Sequence, residues 1–209
     1  MSVKLEIIEN FLSEADLYEL QSIKLKETNY KEMNVYVNKI KDNQVSGDGI
    51  EDESVKRLHQ NYHSRAIEIL KKLYPEKANL YEYSEFGITD TGPDYKFPIH
   101  NDTPNKLLSG VIYISPKNNV GTKFYSNKNG KDEFNVDWKI NRAVFFSRDE
   151  KKSWHSFNGD KKEVRRVLIY NLMTSNVREV CKIEKINYLI VKLKHIINPY
   201  LYRYFKFVI

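Results

Sequence analysis

The sequence predicts a mainly β domain with flanking helices, and three observations carry that reading. From Asn79 onward, short runs rich in β-branched and aromatic residues recur: LYEYSEF, LLSGVIYIS, TKFYS, RAVFFS, SWHSF and VRRVLIYNLM. Turn formers separate them at Gly92-Pro93, Asn118-Asn119, Asn129-Gly130 and Asn158-Gly159-Asp160. Helical periodicity precedes this region and returns after it. Many short strands at a spacing of roughly 8–12 residues indicate a sandwich or barrel.

The elements follow in order. Ser13-Glu14-Ala15-Asp16 reads as a helix N-cap with an acid at the third position, and Leu17, Leu20 and Ile23 share a face behind it. Residues 34–53 are polar and loop-like, with Gly47 and Gly49. A second helix is expected from Glu53 to Leu73 on the apolar positions Val55, Leu58, Tyr62, Ile67 and Leu70, with Pro75 as its stop. The strand-rich region follows, and a last helical segment is expected from Asn176 to Ile197. The chain therefore divides into a domain over 1–175 and a basic amphipathic helix and tail over 176–209.

Composition removes several function classes. A chain of 209 residues supports one sizeable core. The single Cys181 excludes an internal disulfide framework and a cysteine zinc cluster, which points to a reducing, cytoplasmic setting. The opening MSVKLEIIENFLSEADLYEL carries acids throughout and does not read as a secretory signal. No run of about 18 apolar residues is present to span a bilayer. The net charge of +6 is local: residues 182–209 hold six lysines and arginines against Glu184, a balance of +5, leaving +1 for the other 181 residues. Nucleic acid is therefore not an expected partner of the body.

The segment FPIHNDTP places His100 and Asp102 two residues apart. On extended backbone, such residues project to one side and turn Asn101 away. An imidazole and a carboxylate suit a divalent first-row metal but need a third ligand. Among five histidines, His59 and His63 fall on the second helix and His195 on the last, so His155 in SWHSF is the candidate. His100, Asp102 and His155 would form a two-histidine, one-carboxylate triad with an open face for a co-substrate and O₂. Ten residues on, Arg165 stands in the apolar strand VRRVLIYNLM, a costly position unless its fork meets an anion. A dicarboxylate chelating the metal at one end and meeting Arg165 at the other fits that requirement.

These residues carry a resemblance. From about Ile7 to Met173 the chain resembles the Fe(II)/2-oxoglutarate-dependent dioxygenase superfamily, and most closely its prolyl-4-hydroxylase-like branch. IIENFLSEAD is similar to the entry strand and helix of that branch, PIHNDTPNKLLSGVIYIS to its H-x-D strand and the next, VGTKFY to its Gly-x-x-Phe step. WHSF followed by VRRVLIY resembles its distal histidine and anchoring basic strand. The resemblance implies a double-stranded β-helix, the jelly-roll or cupin-like core, with successive strands alternating between two sheets. It implies catalytic roles for His100, Asp102, His155 and Arg165, with the first three binding Fe(II) and Arg165 anchoring 2-oxoglutarate. It implies co-substrate contacts for Tyr113 and Tyr83, and O₂ as oxidant.

The expected activity is hydroxylation of a polar substrate: a peptidyl proline, a sugar or glycan precursor, or an amino acid. The alternative is a cupin-like metal-binding protein without oxygenase activity, an isomerase or a binding module. Loops 28–53 and 87–97 would form the rim, and their Tyr, Asn, Asp and Lys content suits polarity. The position six residues after Arg165, where nucleic-acid demethylases of the superfamily carry a second arginine, is Asn171. In the tail, Ile183, Ile186, Ile190, Leu193 and Ile197 form an apolar stripe opposite Lys185 and Lys192. It would pack on the β unit or rest on an anionic membrane as a peripheral contact through 182–209, helped by YLYRYFKF.

Overall fold

A computed structural model describes residues 3–205 of the chain, with the side chains at 195, 199, 202, 203 and 205 outside that description. A short strand β1 (Leu5–Ile8) leads to helix α1 (Glu14–Ser22), whose N-cap is Ser13 with its hydroxyl accepting from the Asp16 amide. The polar stretch expected as loop is instead a hairpin, β2 (Met33–Lys41) and β3 (Gln44–Gly47). Asp42 and Asn43 supply its turn with φ of 49° and 62°, the two left-handed positions that a tight hairpin of this hand requires. Helix α2 (Asp52–Leu73) ends before Pro75, which opens the short α3 (Pro75–Ala78).

Eight further strands follow: β4 (Tyr83–Thr91), β5 (Lys96–His100), β6 (Lys106–Ser115), β7 (Thr122–Tyr125), β8 (Phe134–Val136), β9 (Ala143–Phe146), β10 (Trp154–Asn158) and β11 (Arg165–Met173). They form two antiparallel sheets. The larger runs β1-β9-β6-β11-β4-β2-β3 and the smaller β5-β10-β7-β8. From β4 to β11 the chain switches sheets at every step except the β7–β8 hairpin, which is the winding of a double-stranded β-helix.

Side-chain alternation builds two layers on the larger sheet. Leu168, Tyr170 and Leu172 of β11 join Phe86, Ile88, Leu108 and Ile112 under α1 and α2, in one core with Leu20, Val55, Leu58 and Leu70. The opposite parity of β11, Arg165, Val167, Ile169 and Asn171, lines the cavity between the sheets. Gly110 of β6 lies on the helix side, where an added Cβ would meet the Phe145 ring at 2.4 Å. A larger residue there would open the sheet from its helices.

The C-terminal segment is two helices rather than one. Helix α4 (Val177–Glu184), capped by Asn176, stops at Lys185, which is left-handed at φ 56°, and helix α5 (Tyr188–Phe205) restarts beyond it. Val180, Cys181 and Val191 are buried, but Ile190 and Leu193 point outward, so the expected stripe is broken and turned. Among the described residues no helix is long and apolar enough to cross a membrane. The Arg203 and Lys206 side chains, and the last residues of YLYRYFKF, lie outside the description.

Candidate metal and co-substrate site

Pairing of β5 with β10 makes His100 and His155 direct register partners, with ring centroids 4.1 Å apart. Asp102 lies just past β5, in the turn before β6. One ligand atom from each of His100, Asp102 and His155 falls within 4.8 Å of the others. The Nδ1 of His100 is 3.0 Å from the Pro98 carbonyl and that of His155 is 2.9 Å from the Ser153 carbonyl. A carbonyl only accepts, so both rings carry their proton on Nδ1 and leave the Nε2 lone pair free for a metal.

The electrostatics favour the ligating protonation states. Burial, and then His155 alongside, push the His100 imidazole down to about 3. Burial likewise lowers His155. Burial would push the Asp102 carboxyl up, but Lys106 and the two imidazoles outweigh it and hold the group below the usual carboxylate range. Lys106 Nζ bonds Asp102 Oδ1 at 2.8 Å and Ser109 donates to Oδ2 at 2.6 Å, fixing the carboxylate plane. Two neutral imidazoles and one ionised carboxylate are a donor set for a divalent first-row cation.

Asn101, between the ligands, faces away from them. Its amide donates to the Asp149 and Glu150 carbonyls at 2.9 and 3.0 Å, and its oxygen accepts from Ser153. Buried Arg148 donates to the Asp102 carbonyl at 3.1 Å and pairs with Glu184 of α4 and with Glu150. Lys77, fully buried on α3, completes the cluster at 2.7 Å from Glu184. The loop holding Asp102 is thereby tied to helices far away in sequence.

A cavity of about 280 Å³ opens over the triad. Arg165 reaches it from the first position of β11, 1 % exposed, and its Nε and Nη2 have no hydrogen-bond partner among the described residues. Phe157, Trp138 and Tyr113 rings surround its guanidinium carbon at 4.8, 5.2 and 5.6 Å. Burial pushes the Arg165 guanidinium down to about 10. A buried cation with two unused donors is a socket for an anion. Arg166 beside it is satisfied by two 2.8 Å bonds to Asp90.

The two tyrosines named for co-substrate contacts have other partners in this structure. The Tyr113 hydroxyl is occupied: it donates to Thr122 Oγ1 at 3.0 Å and accepts from the Thr122 amide at 2.9 Å, so the tyrosine supports Arg165 through its ring. Tyr83 lines a separate groove with Asn105, Thr174 and Tyr188, and its ring carries Lys39 Nζ at 4.0 Å. The rim differs as well. Met33, Val35 and Val37 of β2 present an apolar wall where a polar loop was expected. Lys106, Ser109, Glu85 and Arg148 were not anticipated; the i, i+4 spacing of Asp102 and Lys106 was the one local signal for any of them.

No family model and no curated protein matches the sequence. Solved structures do match the fold. A prolyl-4-hydroxylase from Pseudomonas putida aligns over 83 % of this chain and 94 % of its own, with a TM-score of 0.57 and 12 % identity. An oxidoreductase of the 2OG-Fe(II) oxygenase family from Burkholderia pseudomallei covers 81 % and 84 %, with a TM-score of 0.57 and 14 % identity. HygX from Streptomyces hygroscopicus, solved with nickel and 2-oxoglutarate bound, covers 84 % of each chain at a TM-score of 0.55 and 8 % identity. The chain thus has the double-stranded β-helix fold of the 2-oxoglutarate–Fe(II) oxygenases, in the form seen in prolyl-4-hydroxylase-like structures.

Proposed function

We propose that this protein is an Fe(II)- and 2-oxoglutarate-dependent dioxygenase that hydroxylates a substrate entering the cavity beside β2. The observation that carries the reading is Arg165: a buried guanidinium whose Nε and Nη2 have no partner among the described residues, sharing one cavity with a convergent His-Asp-His set. His100, Asp102 and His155 would hold the metal through two Nε2 atoms and one carboxylate oxygen. Arg165 would receive the distal carboxylate of 2-oxoglutarate in a fork held by three aromatic rings. Bound Fe(II) supplies the activation of O₂, with 2-oxoglutarate converted to succinate and CO₂ as one oxygen atom goes to succinate and the other to the substrate C–H bond. The residues present hold the ligands neutral or ionised as required, dock the co-substrate, and exclude water with the Phe97, Phe146 and Phe157 rings.

A carboxylate at Asp102, rather than a small residue, favours hydroxylation over halogenation. A peptidyl proline, a sugar or glycan precursor and an amino acid are the substrate classes in view. Asn171 in place of a second arginine argues against nucleic-acid demethylation. A cupin-like isomerase or binding module with the same metal ligands would leave Arg165 without a function. Succinate release from 2-oxoglutarate with Fe(II) and O₂, compared with His100→Ala and His155→Ala, tests the proposal. Equal release by wild type and both variants would refute it.

A further inference from the structure

Resting on that reading, we infer that the substrate presents hydrogen-bond donors, and no negative charge, to Glu85 and Asn171. These two residues are register partners on β4 and β11, and Ser109 of β6 continues the same row. All three line the cavity. Ser109 is engaged by Asp102, whereas Asn171 is 3 % exposed with its Oδ1 unpartnered among the described residues. Glu85, half-buried, forms no ion pair among the described residues: its register partner Lys39 extends over Tyr83, and Lys106 is bonded to Asp102. Two acceptors therefore face the cavity without donors. The co-substrate cannot serve them, because 2-oxoglutarate at neutral pH carries acceptors only and its anchor Arg165 lies six residues along the same strand face. Water can serve them before substrate enters, and on substrate binding the donors that replace it come from the other reactant, as hydroxyl, amide or amine N–H. The apolar wall of Met33, Val35 and Val37 beside them fits a hydrocarbon portion of the same molecule.

The test uses matched small probes, ethanolamine and glycolate, titrated into isotope-labelled full chain and followed by NMR at the Asn171 side-chain amide and the Arg165 Nε–H. Ethanolamine is expected to shift the Asn171 signals at a concentration at least tenfold below any effect of glycolate there, and Glu85→Ala should abolish that response. The unchanged Arg165 response to glycolate reports that the variant is folded. Glycolate acting at Asn171 as well as ethanolamine, or ethanolamine moving nothing, overturns the inference. A separate titration with Zn(II) and 2-oxoglutarate reads Arg165: its failure counts against the oxygenase reading instead.

An independent observation concerns α5, which we infer docks on an anionic lipid surface. Leu189, Leu193, Ile196, Tyr200 and Tyr204 recur every three or four residues and are each more than half exposed, one continuous apolar face. Lys192 flanks it, and Lys182 and Lys185 lie exposed just before it. The one carboxylate after residue 181, Glu184, is turned inward and neutralised by Lys77 and Arg148, so the outward charge of this segment is positive. An apolar face edged by lysines is complementary to acidic headgroups above acyl chains. Full chain sedimented with phosphatidylglycerol-containing vesicles should partition at least tenfold more than with phosphatidylcholine alone, and Leu193→Glu/Ile196→Glu should lose that gain. Equal partition in both vesicles or in the variant overturns the inference. So does a dimer by light scattering that the variant dissociates while wild type ignores vesicles, which would assign the face to a second copy.

Discussion

Replacing Arg165 by methionine should raise the stability of the ligand-free protein while removing its response to 2-oxoglutarate. At neutral pH, below both the ordinary value and the folded one, the guanidinium is charged in folded and unfolded chains alike, so the whole burial cost is present. The drop from 12.5 to about 10 corresponds to about 3 kcal/mol against the folded state. The three surrounding rings return about 1–2 kcal/mol of that through cation–π attraction. Methionine keeps the apolar packing and carries neither effect, leaving a net gain of about 1–2 kcal/mol. For a chain of 209 residues this is a rise of about 2–8 °C in Tm. Differential scanning calorimetry with Zn(II), with and without 2-oxoglutarate, is the assay. At a concentration about 100-fold above Kd, 2-oxoglutarate should stabilise wild type by about 2.7 kcal/mol and leave Arg165→Met unmoved. A variant that melts lower than wild type and is still stabilised by the diacid would refute the anion-socket argument.

Two further outcomes follow from the same electrostatics. Arg148→Met strips one partner from a buried ion cluster and leaves Glu184 undercompensated beside Lys77; a loss of about 3–5 kcal/mol is expected in urea unfolding, with weakened metal binding because the Asp102 carbonyl loses its donor. An unchanged midpoint would show that the cluster does not hold the loop. Acid should destabilise the metal-free protein early: His100 at about 3 and His59 at about 4 sit below 6.5, so the unfolded chain binds more protons and stability falls as pH drops below 6.5, by up to about 1.4 kcal/mol per pH unit for each. The lowered carboxyls of Asp16 and Asp102 add loss in the same direction below about 3.8. Melting curves across pH 7 to 4 that stay flat would contradict the burial of these imidazoles.

Local chemistry made most of the fold legible. Ser13 caps its helix, Pro75 bounds α2, and the strand runs between turn formers all lie in the two sheets. Sequence reasoning singled out His100 and His155, on β5 and β10, Arg165 on β11, and Asp102 just past β5, and the winding brings all four to one cavity. The hairpin of β2 and β3 was missed because composition outweighed pattern: MNVYVNKIK alternates, but its two Asn and two Lys residues made it read as loop, although Asn38 is buried and bonded to Ile50. The break at Lys185 left no trace, since a lysine in the left-handed region is set by the Cys181 and Lys182 carbonyls that receive its capping bonds rather than by its own preference. The Tyr113 and Tyr83 hydroxyls could not be placed from parity alone, because facing a site and pairing within a wall look the same in one dimension. The cluster of Lys77, Arg148 and Glu184 spans 107 residues between its lysine and glutamate, a separation at which single-chain spacing carries no signal.

The most direct measurement is anaerobic titration of Fe(II) followed by 2-oxoglutarate, read by metal stoichiometry and by the visible charge-transfer absorption of a chelated keto-acid. One ferrous ion per chain is expected, with the absorption appearing only after the diacid is added. His100→Ala and His155→Ala should lose both signals, and Arg165→Met should keep the metal while losing affinity for the diacid. Wild type that takes up no more iron than the two histidine variants, or that binds iron without any absorption on adding 2-oxoglutarate, would contradict the account.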